Sequence, residues 1–317
     1  MSKKVVLLLS LLVFMFAVLT GCASNAPSAS KPTANVTPAE TTYPLTVKDD
    51  SNTDVTIPAK PMKIVSFVPS ATETLFALGL EGRVIAVTKW DDYPTDVQKK
   101  VQFVFQDSLN PNNEQLLKLN PDLVIVGAID DKTIQSLRNL KLTVLKVDPE
   151  SLDTTYQSIE KLGLITNTQE QGKKIISGMK EKQAAIAKKV AAIKDADKVK
   201  VWVEVDPNFF TAGKDTFMDE LISKAGGVNI AADAKGWTQY TAEKVIAKNP
   251  QIILTTYGYY VKNPVEQVLA RNTWQNIDAI KNKRVFDIDS NIVTRPGPRI
   301  IDGLEIIAKA LYPESFK

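Results

Sequence analysis

A doubled pattern governs what this chain can fold into. Glu114-Gln-Leu-Leu-Lys-Leu-Asn-Pro121 runs into Asp122-Leu-Val-Ile-Val126, and Glu243-Lys-Val-Ile-Ala-Lys-Asn-Pro250 runs into Gln251-Ile-Ile-Leu-Thr255. Each copy reads as a helix, an Asn-Pro stop and a short, wholly apolar strand. Proline cannot continue the helix, and an unbroken apolar run suits a strand covered on both faces, as in a parallel sheet. Each copy is followed by a helical stretch and a second short strand, Val144 to Asp148 in one and Val285 to Asp289 in the other. The expected fold class is therefore α/β, with two doubly wound lobes related to one another.

Between the copies, residues 168–196 carry Ile175, Ile176, Met179, Ala184, Ile186, Val190 and Ile193 at helical spacing with no proline, which predicts one long helix joining the lobes. A single stiff connector permits rocking by a few degrees but not wide hinge closure. The boundaries that follow are an N-terminal lobe over 61–166, a connecting helix over 167–197 and a C-terminal lobe over 198–317. Ligand is expected where the carboxyl ends of the strands of both lobes face one another.

The start of the chain reads as an address. Lys3 and Lys4 precede an uncharged apolar stretch from Val5 to Thr20, shorter than the roughly 20 residues that span a bilayer. Residues 1–21 are read as a secretion signal. Its end, Leu19-Thr20-Gly21-Cys22, resembles the lipobox of bacterial lipoproteins, in which the chain is cut before the cysteine and the thiol acylated. Cys22 is the only cysteine, so lipidation of Cys22 is expected and disulfides are not. Residues 22–60 comprise the lipidated cysteine, a tether and a lead-in to the fold. Ala23 to Pro44, rich in Ala, Ser, Thr, Asn and Pro, buries too little apolar surface to offset chain entropy and has a coil span of about 25 Å.

Composition removes several chemistries. The chain has no histidine, which excludes a Ser-His-Asp triad and histidine-ligated zinc proteases. No metal site and no resident cofactor are expected. The formal charge is +3, with lysine and glutamate interspersed, so nothing calls for nucleic acid. Gly213-Lys214-Asp215 lacks the remainder of a phosphate-binding loop. A carboxylate- or Ser/Lys-based hydrolase on an anchored scaffold, or a sensor lipoprotein, stays open as an alternative of another class.

Several ordered motifs carry a resemblance. Pro69-Ser-Ala-Thr-Glu73 leads into Leu75-Phe-Ala-Leu-Gly79, followed by Asp92-Tyr93-Pro94. Later come Val203-Glu204-Val205, Thr211-Ala-Gly-Lys214, Phe217-Met-Asp-Glu-Leu221 and Gly226-Gly227-Val228-Asn229. Trp237 stands six residues before Glu243, and Arg295-Pro-Gly-Pro-Arg299 closes the series. Together they resemble the periplasmic cobalamin and iron-siderophore binding family, over nearly all of residues 61–317. The resemblance implies a class III periplasmic-binding-protein fold and a non-enzymatic, monomeric carrier on the outer face of the membrane. Its partners would be the permease dimer of an ABC importer and its ATPase. The implied ligand is cobalamin or a related corrinoid, with a ferric siderophore or haem as the rival.

That family docks through one glutamate per lobe, and the matching positions here are Glu73 and Glu204. Read without the resemblance, Ser70 and Glu73 form a capping box, and Glu204 is the outward residue of a half-exposed strand in which Val201, Val203 and Val205 alternate with Trp202, Glu204 and Asp206. Aromatic residues gather in loops after the predicted strands, where flat faces with polar tips suit a broad amphipathic ring. Trp90, Tyr93, Trp237, Tyr240 and Tyr257 are the candidate ligand contacts, with Tyr259 and Tyr260 beside them and Phe103 and Phe105 the weakest. Trp237 matches the family's cleft tryptophan. Arg295 is the candidate for an anionic group on the ligand, and Arg299 is expected to support a helix start or to pair locally. A pocket of aromatics with one arginine favours a corrinoid over a ferric catecholate.

Overall fold

The structure, a computed structural model, describes residues 40–317. The signal segment, Cys22 and most of the tether lie outside the described residues. The chain is already tied down at Thr41, whose backbone N–H donates to Asn167 and whose hydroxyl donates to the Leu164 carbonyl. Strands β1 (Leu45–Lys48) and β2 (Asp54–Ile57) form an antiparallel hairpin, and Val55 and Ile57 enter the core of the first lobe. The segment read as a lead-in is therefore part of the N-terminal lobe. The buried Asp49 secures it by accepting from Ser51, Thr53, Arg138 and the Lys146 backbone.

The first lobe continues through β3 (Ile64–Ser66), α1 (Pro69–Ala77), β4 (Val84–Thr88), β5 (Phe103–Phe105), α2 (Asn113–Leu119), β6 (Leu123–Val126), α3 (Asp131–Asn139) and β7 (Val144–Lys146). Its five strands are all parallel, in the order β5-β4-β3-β6-β7. All four residues of β6 are buried, as the apolar run demands. Helix α2 ends because Asn120 takes a left-handed backbone, φ 49°, immediately before Pro121. Asparagine tolerates that conformation at a helix end and proline blocks continuation.

Two helices then connect the lobes, not one. Helix α4 (Leu152–Thr166) and α5 (Gln169–Val190) meet at Asn167, again left-handed at φ 58°, and fold back on each other. Gly163 packs at Thr168, and the Tyr156 hydroxyl donates to Gln183 further along. Leu162 and Ile165 belong to the first lobe's core, whereas Leu152, Tyr156, Ile159, Met179 and Ile186 belong to the second's. The spine is an antiparallel pair seated on both lobes, and its second helix stops at Val190 instead of running to 196. The apolar spacing thus marks the helix but overruns its end by several residues.

The second lobe has β8 (Lys200–Glu204), β9 (Phe210–Ala212), α6 (Phe217–Lys224), β10 (Val228–Asn229), β11 (Trp237–Gln239), α7 (Ala242–Lys248), β12 (Ile252–Thr255), α8 (Pro264–Leu269), α9 (Asp278–Lys281), β13 (Val285–Asp287), α10 (Ser290–Val293) and α11 (Ile300–Leu311). Strands β10-β8-β12-β13 form a parallel sheet, and β9 with β11 forms a separate antiparallel ribbon. Helix α7 ends as α2 does, with Asn249 left-handed at φ 45° before Pro250. The doubled sequence pattern is thus a doubled structure down to its helix stops.

Candidate functional site

A cavity of about 520 Å³ lies between the lobes. The first lobe contributes Pro69 after β3 and Lys89, Trp90 and Asp92 after β4. The second contributes Val205 after β8, Thr256 and Tyr259 after β12, Ser290 to Arg295 after β13, and Trp237 from the ribbon. Apart from Trp237, and from Thr294 and Arg295 just past α10, these residues follow strand carboxyl ends within a few positions, where an α/β sheet leaves a crevice.

Trp90 and Trp237 stand on opposite walls, 53% and 52% exposed, with Tyr259 more exposed still. Trp90 is held by its turn: the Asp91 carboxylate accepts from the Thr88 N–H at 2.8 Å and from the Thr88 hydroxyl at 2.6 Å. Asp91 is buried and its second oxygen has no hydrogen-bond partner among the described residues; burial pushes its pKa above the ordinary carboxylate range. Trp237 is backed by Phe210 on the neighbouring ribbon strand, the rings nearly parallel with centroids 6.5 Å apart. Tyr259 rides on a loop pinned by Asp287, which accepts from the Thr255 hydroxyl at 2.6 Å and the Gly258 N–H at 3.2 Å. A Cβ on Gly258 would fall 1.9 Å from an Asp287 oxygen, so a larger residue there would displace the Asp287 carboxylate from these bonds.

Arg295 lines the cleft, but its charge is spent within the protein. It pairs with Asp92 at 2.5 Å, donates to the Trp90 carbonyl at 2.8 Å and lies 3.7 Å from Glu73. Asn291 donates to the other Asp92 oxygen at 2.7 Å. These are contacts between lobes. Arg299, expected to act locally, also crosses the boundary: it holds Glu73 from two nitrogens at 2.8 and 2.5 Å and stacks 3.7 Å from the Tyr93 ring. Gly297 lets the same segment lie against Ser70, where a Cβ would come within 3.1 Å of the carbonyl oxygen.

Three of the six predicted ligand residues do not reach the cavity. Tyr93 lines a separate hollow of about 320 Å³ with Glu73 and Arg299. Tyr240 is a core residue packed on Trp202, with its hydroxyl on Asp233. Tyr257 is buried and donates to Glu204 at 2.6 Å, so burial and that carboxylate raise its pKa. Phe105 packs on Phe67 in the first lobe's core, and Phe103 packs on Phe105. An aromatic just beyond a strand can turn inward as a lid on its own lobe or outward into the cleft, and sequence does not encode which.

The two docking candidates are corrected as well. Glu73 is 3% exposed, and no capping box forms: α1 begins at Pro69 with Val68 as its cap and no side-chain bond. Burial pushes the Glu73 pKa up while Arg299 and Arg295 pull it back. Glu204 is fully buried because β8 lies between β10 and β12 and is covered on both faces. It accepts from Arg271 twice, at 2.8 and 2.6 Å, from the Tyr257 hydroxyl and from the Trp202 indole at 3.1 Å. Neither carboxylate is presented to a partner.

Lys89, Asp92, Tyr259 and Asn291 complete the cavity. Their shared signal was position: each follows a parallel strand's carboxyl end within a few residues.

Residues 64–292 match the periplasmic binding protein family. The chain belongs to that family. An uncharacterized ABC transporter substrate-binding lipoprotein, YvrC of Bacillus subtilis (strain 168), is 38% identical over 307 residues, 95% of each chain. A cobalamin-binding protein of Halobacterium salinarum is 28% identical over 278 residues, 85% of this chain and 74% of its own. A solved structure of a possible iron-binding (periplasmic solute-binding) protein from Staphylococcus epidermidis superposes with a TM-score of 0.70 at 32% identity, covering 80% of this chain and 100% of that one. The family consists of solute carriers and not enzymes, and the fold is its class III form.

Proposed function

We propose that this protein is the lipid-anchored, extracellular substrate-binding component of an ABC importer, with cobalamin or a related corrinoid as its ligand. The observation that carries the reading is an inter-lobe cavity with Trp90 on one wall and Trp237 and Tyr259 on the other. Exposed aromatic rings contributed by both walls of a cleft suit a broad, flat amphipathic ligand, with Asn291, Ser290 and Thr256 for its polar edge. The cobalamin-binding relative supports the same ligand. A ferric siderophore is the second reading, favoured by likeness to the possible iron-binding protein. Anchorage through Cys22 places the carrier beside its permease.

The decisive experiment titrates the protein with cyanocobalamin and with ferric siderophores, by tryptophan fluorescence and calorimetry. One-to-one cobalamin binding, weakened about tenfold or more in Trp237→Ala, is expected for loss of a stacked ring. Binding of a siderophore alone would replace the ligand and keep the carrier.

Docking passes to a different pair of glutamates. Glu114 and Glu243 occupy matching positions in the doubled pattern, in the first turns of α2 and α7, which are capped by Asn112 and Thr241. Both are exposed, and among the described residues neither stands in an ion pair. The Glu243 pKa is held low by its own backbone N–H and by the Thr241 hydroxyl. One carboxylate per lobe, fixed at a helix start, suits charge-assisted pairing with arginines of a two-fold permease. Glu114→Ala with Glu243→Ala is expected to abolish uptake in cells while leaving ligand affinity intact; unchanged uptake would refute the assignment.

A further inference from the structure

Three charged side chains line the inter-lobe cavity: Lys89, Asp92 and Arg295. Arg295 and Asp92 neutralise each other, and their remaining bonding capacity goes to the Trp90 carbonyl, Glu73 and Asn291. Lys89 is in a different position. Among the described residues no carboxylate pairs with it, and the exposed Asp107 feels its charge only at a distance. Its ammonium lies over the Trp90 ring, 5.0 Å from the centroid.

The backbone beneath Lys89 is fixed. Its N–H donates to the Phe105 carbonyl at 2.9 Å, its own carbonyl accepts from Gln98 at 3.0 Å, and the Thr88 to Asp91 turn closes around it. Only the side chain is free to move, over a ring that itself faces the ligand. Filling the cavity strips water from this ammonium, and a desolvated charge without a partner is costly. A ligand that brings its own anion removes that cost and gains a charge-assisted hydrogen bond.

We infer that Lys89 is a specificity-determining anion contact, taking a phosphodiester or carboxylate group that the ligand carries beside the ring face covered by Trp90. The inference rests on the carrier reading above and sharpens its ligand: a flat amphipathic ring with one anionic substituent on the lobe-one side. Arg295, the residue that sequence reasoning singled out for this role, is instead a strut between the lobes.

The test titrates the full chain in detergent, as wild type, Lys89→Gln and Lys89→Arg, with cyanocobalamin and with dicyanocobinamide, a corrinoid lacking the nucleotide phosphodiester. The expected result is about a tenfold loss of cyanocobalamin affinity in K89Q. Dicyanocobinamide affinity should stay unchanged, K89R should restore binding, and the salt dependence of cyanocobalamin binding should shrink in K89Q. Equal affinity of wild type and K89Q for cyanocobalamin would overturn the anion contact while leaving the corrinoid reading standing. If neither corrinoid binds wild type, the corrinoid reading fails, and the same three proteins are titrated with haemin and anionic ferric siderophores. A ligand weakened in K89Q and restored in K89R then preserves the anion contact; one bound equally by all three, or none bound at all, overturns it.

Discussion

Each lobe buries one glutamate against arginine, and the two ion pairs do different work. Glu204 is bonded entirely from within its own lobe: Arg271, Tyr257 and Trp202 supply all its donors, and the Arg271 guanidinium lies 4.3 Å from the Trp274 ring and 4.9 Å from Phe209. Glu73 takes its arginines from the opposite lobe, two bonds from Arg299 and a longer contact to Arg295. The first pair is an internal staple of lobe two. The second is a bond between lobes, made at a surface that water reaches when the lobes part. Similar chemistry in two α/β halves is used once for stability and once for the relation between halves.

Removing one partner from the enclosed pair should give the largest effect. Arg271→Ala leaves Glu204 buried with a full charge and only neutral donors, and such uncompensated charges cost about 3–5 kcal/mol. Urea unfolding followed by tryptophan emission is a direct readout, because Trp202 and Trp274 both lie in this lobe's core. Replacing both partners, Glu204→Leu with Arg271→Met, should recover most of the loss, since the charge needing compensation is then gone. A loss below about 1 kcal/mol in Arg271→Ala would mean that the pair is not an ionic staple.

This comparison also marks what could be read in advance. The lobes, the parallel sheets and the positions of α2, β6, α7 and β12 followed from apolar runs and Asn-Pro stops, because burial on both faces and proline geometry are local constraints. The same logic points to Trp90 as an exposed aromatic beyond a strand end, whereas Trp237, which lies within the ribbon strand β11, is marked by the family resemblance. It failed at Glu204 because the alternation of Val201, Val203 and Val205 with larger residues resembles a half-exposed strand, whereas β8 is central and its polar residue is satisfied by Arg271, 67 positions away in sequence. It failed at Glu73 for the same reason, its partner Arg299 being 226 positions distant. A buried polar residue is legible only together with its partner, and partners separated this far are brought together by topology that no local window contains. The helical spine departs from its sequence pattern by a gentler mechanism: the break before Thr168 is legible, but whether Leu152–Thr166 packs in one lobe or across both is set by tertiary packing, and no proline or glycine marks the stop at Val190.

The inter-lobe pair should respond more weakly, and in a different observable. In Arg299→Ala, Glu73 keeps Arg295 at 3.7 Å and can regain water if the lobes separate slightly. The expected stability loss is therefore about 1–2 kcal/mol, well short of the Arg271→Ala effect, because relief by hydration is available at an interface and not inside a sheet. What should change is the relation between lobes: small-angle scattering of the ligand-free protein should show a larger radius of gyration, and ligand affinity should fall because closure must now be driven by the ligand alone. The paired α4–α5 spine, seated in both cores, limits the separation to a modest one. If Arg299→Ala destabilises the protein as severely as Arg271→Ala with no change in scattering, Glu73 is a staple of the same kind as Glu204 and the distinction between the two pairs fails. If scattering changes while stability holds, the distinction sharpens, and Glu73 becomes the group that sets how far the cleft stands open before ligand arrives.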